Sequence, residues 1–253
     1  MAASGRGATG AAFALALALC PALADPPDFS AYVDLGSTGL IDADTGVVDP
    51  YLGATLNGTM SGSFDNGVGY SLGGDVILER HNLFARIDAS FLKASGQLNY
   101  QTDLGKIRLR ASNLSVFDRS FAIMRYNLTD LSLGMEDSYD LTDDLRLKLS
   151  VNVARRLATV QTLDRWSINP TVSLTTQIAG LDVYAYGSYS YRDFVFRDRV
   201  DHYFSTGTTL SKTFDDLTVG VSASVETVRS SVPSLGATSF IVGPNLTYNL
   251  PID

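Results

Sequence analysis

From Leu145 to Asn152 the chain alternates aliphatic and polar residues without a break. A period of two is the mark of a strand with unlike faces. It sets Leu145, Leu147, Leu149, Val151 and Val153 on one side, with Arg146, Lys148, Ser150 and Asn152 on the other. The same alternation recurs along the chain. Apolar faces run through Phe29–Leu35, Leu52–Met60, Val68–Leu78 and Leu83–Phe91, the last opposed by Arg86, Asp88 and Ser90. The phase slips near Ala94-Ser95-Gly96, which predicts a β-bulge inside one long strand ending at Thr102. Ile107, Leu109 and Ala111 face away from Lys106, Arg108 and Arg110, and Leu131, Leu133 and Met135 oppose Ser132, Gly134 and Glu136. Trp166–Ile178 alternates against Arg165 and a run of Ser, Thr and Asn. Leu181–Tyr189, Phe204–Leu210, Leu217–Val225 (against Ser222, Ser224 and Glu226) and Phe240–Leu250 complete a set of twelve strands.

The connections sort into two classes. Asp65-Asn66-Gly67, Asp103-Leu104-Gly105, Leu141–Asp144, Ile178-Ala179-Gly180 and Phe214-Asp215-Asp216 read as tight turns. Ser37–Asp49, Asn113–Ser120, Arg156–Asp164, Arg192–His202 and Arg229–Gly236 read as longer loops, and the two kinds alternate apart from a short Glu79–Asn82. Strands of about ten residues joined by short turns on one side and longer loops on the other predict an all-β, antiparallel up-and-down transmembrane β-barrel of about 12 strands. A soluble β-sandwich also alternates, but its strands are usually about five or six residues long. Tyr51, Tyr70, Tyr139, Tyr189, Tyr191, Phe204, Phe214 and Tyr248 gather near strand ends, as interfacial girdles do.

The first residues fit export. Arg6 is the only charge before Asp25, Ala11–Leu19 is a short apolar run, and Ala22-Leu23-Ala24 suits cleavage. Residues 1–24 therefore read as a secretory signal peptide and 25–253 as the barrel. A lipoprotein anchor at Cys20 fits less well, because Leu19 precedes it and Pro21 follows. Cys20 is the only cysteine, so the mature part has no disulfide and no thiolate metal site. Removing the leader moves the formal charge from −8 to −9, and an acidic chain without a basic run is a poor nucleic-acid binder. No later stretch is apolar enough for a spanning helix, which leaves a closed barrel as the way across lipid.

Gly53–Asp75 resembles an early hairpin of bacterial outer-membrane porins, Leu98–Ala111 a porin hairpin with a Gly-Lys turn, and Arg125–Val153 the rhythm of porin strand pairs. Gly243, Leu246 and Tyr248 resemble the terminal Gly-x-x-apolar-x-aromatic assembly signal, although the chain continues through Asn249–Asp253. The resemblance implies passive diffusion of small polar or anionic solutes, insertion by the barrel assembly machinery, outer-membrane lipid as surroundings and a homotrimer. General porins have sixteen strands and a long constriction loop. The strand count is nearer that of narrower twelve-stranded channels, including those for acidic sugars, and of the outer-membrane phospholipase.

With aliphatic residues toward lipid, the lumen receives Arg86, Lys106, Arg108, Arg110, Arg146, Lys148 and Arg165, with Asp75, Asp88, Glu136 and Glu226. A basic stripe of this kind can set ion preference in a water-filled bore. In a filled barrel the same residues would be salt-bridged packing. Catalysis has little to use. His81 sits in a short turn, and Ser205 falls on the opposite strand face from His202, against a phospholipase-like pair. Asp198, Asp201 and His202 read as an acidic loop rather than an omptin-like site. Asp42–Gly46 lacks the glycine and glutamate spacing of a calcium loop. Neither a metal nor a cofactor is expected, and the protein reads as a non-enzyme. The rival to a channel is a non-conducting barrel with an adhesive or structural surface.

Overall fold

The computed structural model describes residues 26–42, 48–82 and 88–251. Twelve strands form one closed antiparallel barrel: β1 Asp28–Asp42, β2 Val48–Ser63, β3 Gly69–His81, β4 Ala89–Thr102, β5 Gly105–Phe117 and β6 Met124–Thr142, then β7 Leu145–Ala158, β8 Arg165–Ile178, β9 Leu181–Phe194, β10 Arg199–Phe214, β11 Leu217–Ser230 and β12 Ala237–Leu250. Every strand pairs with its sequence neighbours. β1 closes the ring on β12, from Ala31 opposite Leu250 to Asp42 opposite Ser239. Closure leaves no unpaired edge, which a barrel in lipid requires. Pro244 donates no N–H, and the β1–β12 ladder is interrupted beside it, between Gly36–Asn245 and Gly39–Val242.

The outer face is apolar by the alternation already described. Leu52 (58 % exposed), Leu133 (57 %) and Val151 (44 %) belong to a continuous band of exposed aliphatic side chains. In water such a surface would be an aggregation liability, whereas against acyl chains it is at rest. The buried apolar side chains among the described residues are few, namely Tyr70, Ala89, Val116, Leu128 and Phe194. The barrel is therefore not built around an apolar core.

One rim carries the tight turns. Ala179 and Gly180 both adopt positive φ (52° and 75°), the conformation of a two-residue hairpin turn whose twist matches its strands. Gly105 closes the Asp103-Leu104 turn at φ 119°, where a Cβ would lie 2.6 Å from the Glu136 carbonyl oxygen. The opposite rim carries the longer connections, two of them with a 3₁₀ turn, at Gln161–Leu163 and Pro233–Leu235. Strands run further into these connections than the alternation alone indicates. β9 continues to Phe194 and β10 starts at Arg199, so most of Arg192–His202 is strand.

Two expectations fail around β4. The β3–β4 connection is not Glu79–Asn82: β3 runs to His81 and β4 begins at Ala89. Leu83, Ala85 and Ile87, expected to open this strand, lie outside the described residues. Nor is there a bulge at Ala94-Ser95-Gly96, since register runs unbroken from Ala89 to Asn99 against β3 and from Ser90 to Thr102 against β5. Lys93 stands opposite Asp75 and its Nζ lies 2.8 Å from the carboxylate, so both face inward, and Phe91 faces inward with them. The apparent slip arises because polarity inverts at the loop-side end of the wall. There Ala89, Phe91, Leu114, Val116 and Leu128 point inward, while Asn113, Ser115, Asn127 and Thr129 form a hydrogen-bonded cluster on the outer face. An outer face that carries amides and hydroxyls has left the hydrocarbon. The inversion therefore marks the upper edge of the apolar band.

Candidate functional site

Side-chain parity within the closed ladder defines the lumen. Around β6, Glu136 receives Arg108 from β5 and Lys148 from β7, each at 2.7 Å. Next to the tight-turn rim, Arg146 Nε donates to Asp140 at 2.6 Å. Lys93 pairs with Asp75. Nearer the loop rim, Arg156 grips Asp130 with two bonds of 2.8 Å. Strands β4 to β9 thus carry a basic wall, and its turn-side half is largely neutralised by carboxylates.

The expected luminal residues divide accordingly. Lys106, Arg108, Arg110, Arg146, Lys148, Arg165, Glu136 and Glu226 all lie on the inner parity of their strands. Among the described residues Lys106, Arg110 and Arg165 make no salt bridge. Arg86 lies outside the described residues. Asp88 is not luminal: it precedes β4, is buried, accepts the His81 backbone N–H at 2.7 Å, and stands 3.6 Å from Arg119, which ties the mouth together. His81 is not in a turn but ends β3, with Nδ1 2.7 Å from the Asp49 carboxylate and its ring stacked on Tyr51. Most of Asp42–Gly46 lies outside the described residues.

Four inward cations escaped the sequence reading: Lys93, Arg156, Arg192 and Arg199. Lys93 was hidden by the supposed bulge, and the other three by loops assumed to begin where the aliphatic face fades. Parity was the available clue. Arg156 continues the even-numbered polar set of Arg146 and Lys148, and Arg192 continues that of Asp182, Tyr184 and Tyr186.

Arg192 donates to Ser190 Oγ at 3.1 Å and lies over the Tyr203 ring at 4.3 Å. The buried Phe194 ring sits between Arg165 at 5.7 Å and Arg199 at 4.2 Å, and Arg199 also pairs with Asp201. Arg110, Arg156, Arg165 and Arg192 line one luminal cavity of about 330 Å³. The facing wall differs in kind. Among the described residues no Lys or Arg faces inward from β11, β12, β1, β2 or β3. Those strands present Ser222, Gly243, Asn245, Gly53 and Asn57, with Glu226, Asp34 and Asp75 as acids. A basic wall opposite a neutral-to-acidic one sets a field across the bore. His202 points outward against Tyr189 and Tyr191, whereas Ser205 points inward, 3.1 Å from the Tyr186 hydroxyl, so the two share no site.

A closed ring of twelve antiparallel strands with an apolar outside and a polar, charged inside is the architecture of outer-membrane porins and related barrels. No known family profile and no curated protein sequence matches the chain. Among solved structures it is similar to an outer-membrane channel from Pseudomonas putida F1 (TM-score 0.59, 9% identity, 91% of this chain and 98% of that one). It is also similar to the KdgM porin in complex with disordered oligogalacturonate (0.50, 11%, 87% and 99%) and to LpxR from Salmonella typhimurium (0.50, 10%, 86% and 99%). At these identities the likeness concerns the fold.

Proposed function

We propose that the protein is a porin-like channel for passive diffusion of small polar solutes, with a preference for anions. The observation that carries this reading is the inner wall of β4 to β9, where arginines without carboxylate partners project into a bore that lacks an apolar core. Barrel size supports it: eight strands enclose just enough room for their own side chains, sixteen to eighteen leave an aqueous channel, and twelve fall between. With this reading go an outer-membrane location reached by export through residues 1–24, insertion by the barrel assembly machinery through Gly243, Leu246 and Tyr248, and contact with membrane lipid. A homotrimer rests on the porin resemblance alone. The test is refolded protein in a planar bilayer under a salt gradient. Discrete conductance steps with an anion-directed reversal potential are expected. Folded protein without steps would sink the channel, and a cation-directed potential would sink the anion preference.

A further inference from the structure

We propose that the loop-side half of the lumen holds a saturable binding site for a hydroxylated polyanion, built by Arg110, Arg156, Arg165 and Arg192. The site deepens the channel reading and rests on it for the route by which the solute arrives. The ladder brings these side chains together. Arg156 stands directly opposite Arg165, Ser167 opposite Arg192, and Arg110 opposite Ser132, which neighbours Ala154 on the next strand. Asp130 is the only acid in the cavity, and Arg156 occupies both its oxygens. The other three guanidiniums have no carboxylate within ion-pair distance among the described residues.

Like charges held close in a partly dehydrated bore repel one another. The turn-side half of the same wall avoids this with Glu136 and Asp140. The loop-side half instead positions cations on aromatic faces, Arg192 over Tyr203 and Arg165 against Phe194, which fixes their direction and leaves their charge uncancelled. Stability alone would favour carboxylates there. The contrast within one wall points to a ligand that brings the negative charge.

Guanidinium forks match the planar oxygens of carboxylate and phosphate. Three uncompensated arginines call for at least two anionic groups on the solute. The rest of the lining is hydroxyl and amide, including Ser112, Ser167, Ser190, Asn152 and Asn169, and the only apolar side chain is Ala154. Such a lining suits a hydroxylated frame rather than a hydrocarbon one. The volume, about 330 Å³, is within the range of small-molecule pockets.

The test is titration calorimetry on the refolded full-length barrel in micelles, with citrate and glucose 6-phosphate as probes and glucose as the neutral control. Saturable binding of at least one anion and none of glucose is expected. Tighter citrate binding assigns the site to polycarboxylates, and tighter glucose 6-phosphate binding to phosphate esters. Arg165→Gln and Arg192→Gln should each weaken binding tenfold or more. Arg229→Gln, the same charge change on the outer face, should leave it unchanged. A second measurement needs no variant: the tighter-binding anion should shield Arg165 and Arg192 of the wild type from phenylglyoxal, read by peptide mass. Absence of shielding, or binding indifferent to both luminal variants, overturns the site. Conductance without saturable binding overturns the site and leaves the channel standing, and binding without conductance does the reverse.

Discussion

At the level of single residues, one close approach makes a sharp test of the wall. Gly207 faces inward beneath Tyr186, and a Cβ there would lie 2.8 Å from both Tyr186 Cε1 and Ser224 Cβ. Gly207→Val should therefore destabilise the barrel by about 1–3 kcal/mol, the usual range for overpacking. Urea unfolding in vesicles would measure this, and an unchanged midpoint would refute the packing described. The loop residue Asp118 supplies a test in pH. Desolvation raises its carboxyl, but hydrogen bonds from the Ile123 N–H, the Ser120 hydroxyl and the Ala122 N–H together outweigh it and hold it below the ordinary carboxylate range. A lowered value means the loop's order is complete above the ordinary range and is lost as pH falls through the lowered one. The Ala122 and Ile123 amide resonances should titrate together below that range. A midpoint at or above it would contradict the geometry.

Strands show their faces through substitutions one residue apart. Val151, midway along β7, faces outward, and Ser150 beside it faces the bore. Val151→Arg should cost about 2–4 kcal/mol in lipid, whereas Ser150→Arg should cost little. Refolding yields and denaturant midpoints in liposomes compare the two, and equal penalties would exclude a lipid-facing outer wall. The same reasoning explains what could be read from sequence at this level. Where a strand lies wholly within the apolar band, as in Leu145–Val153 or Leu217–Val225, polarity and side agree, and the reading of faces holds. Where β4, β5 and β6 rise past the band, Phe91 and Val116 turn inward and Asn113 and Asn127 outward. A rule that equates apolar with outside then misplaces residues and invents a bulge. The turns were readable because Gly67, Ala179 and Gly180 carry the left-handed conformations their hairpins need.

For the whole molecule, strand number, antiparallel order and the alternation of turns with loops could be read from the chain, because each follows from local periodicity. Which cations keep their charge could not. Glu136 lies near Arg108 and Lys148 only once β5, β6 and β7 are in register, and Arg165 nears Arg156 and Arg192 only once β7, β8 and β9 are. The half-and-half character of the basic wall is thus a property of the ring rather than of any strand. It also makes the two mouths electrically unequal. Arg165 and Arg192, which have no carboxylate partner, lie toward the loops, whereas Arg108 and Arg146 toward the turns are both ion-paired. A pore with fixed charge displaced toward one entrance passes current unequally for opposite voltages, because counter-ions accumulate at that entrance under one polarity and are drained under the other. Barrels inserted in one direction should therefore rectify. The sign of rectification should reveal which mouth faces which chamber, and both Arg165→Gln and higher salt should flatten the curve.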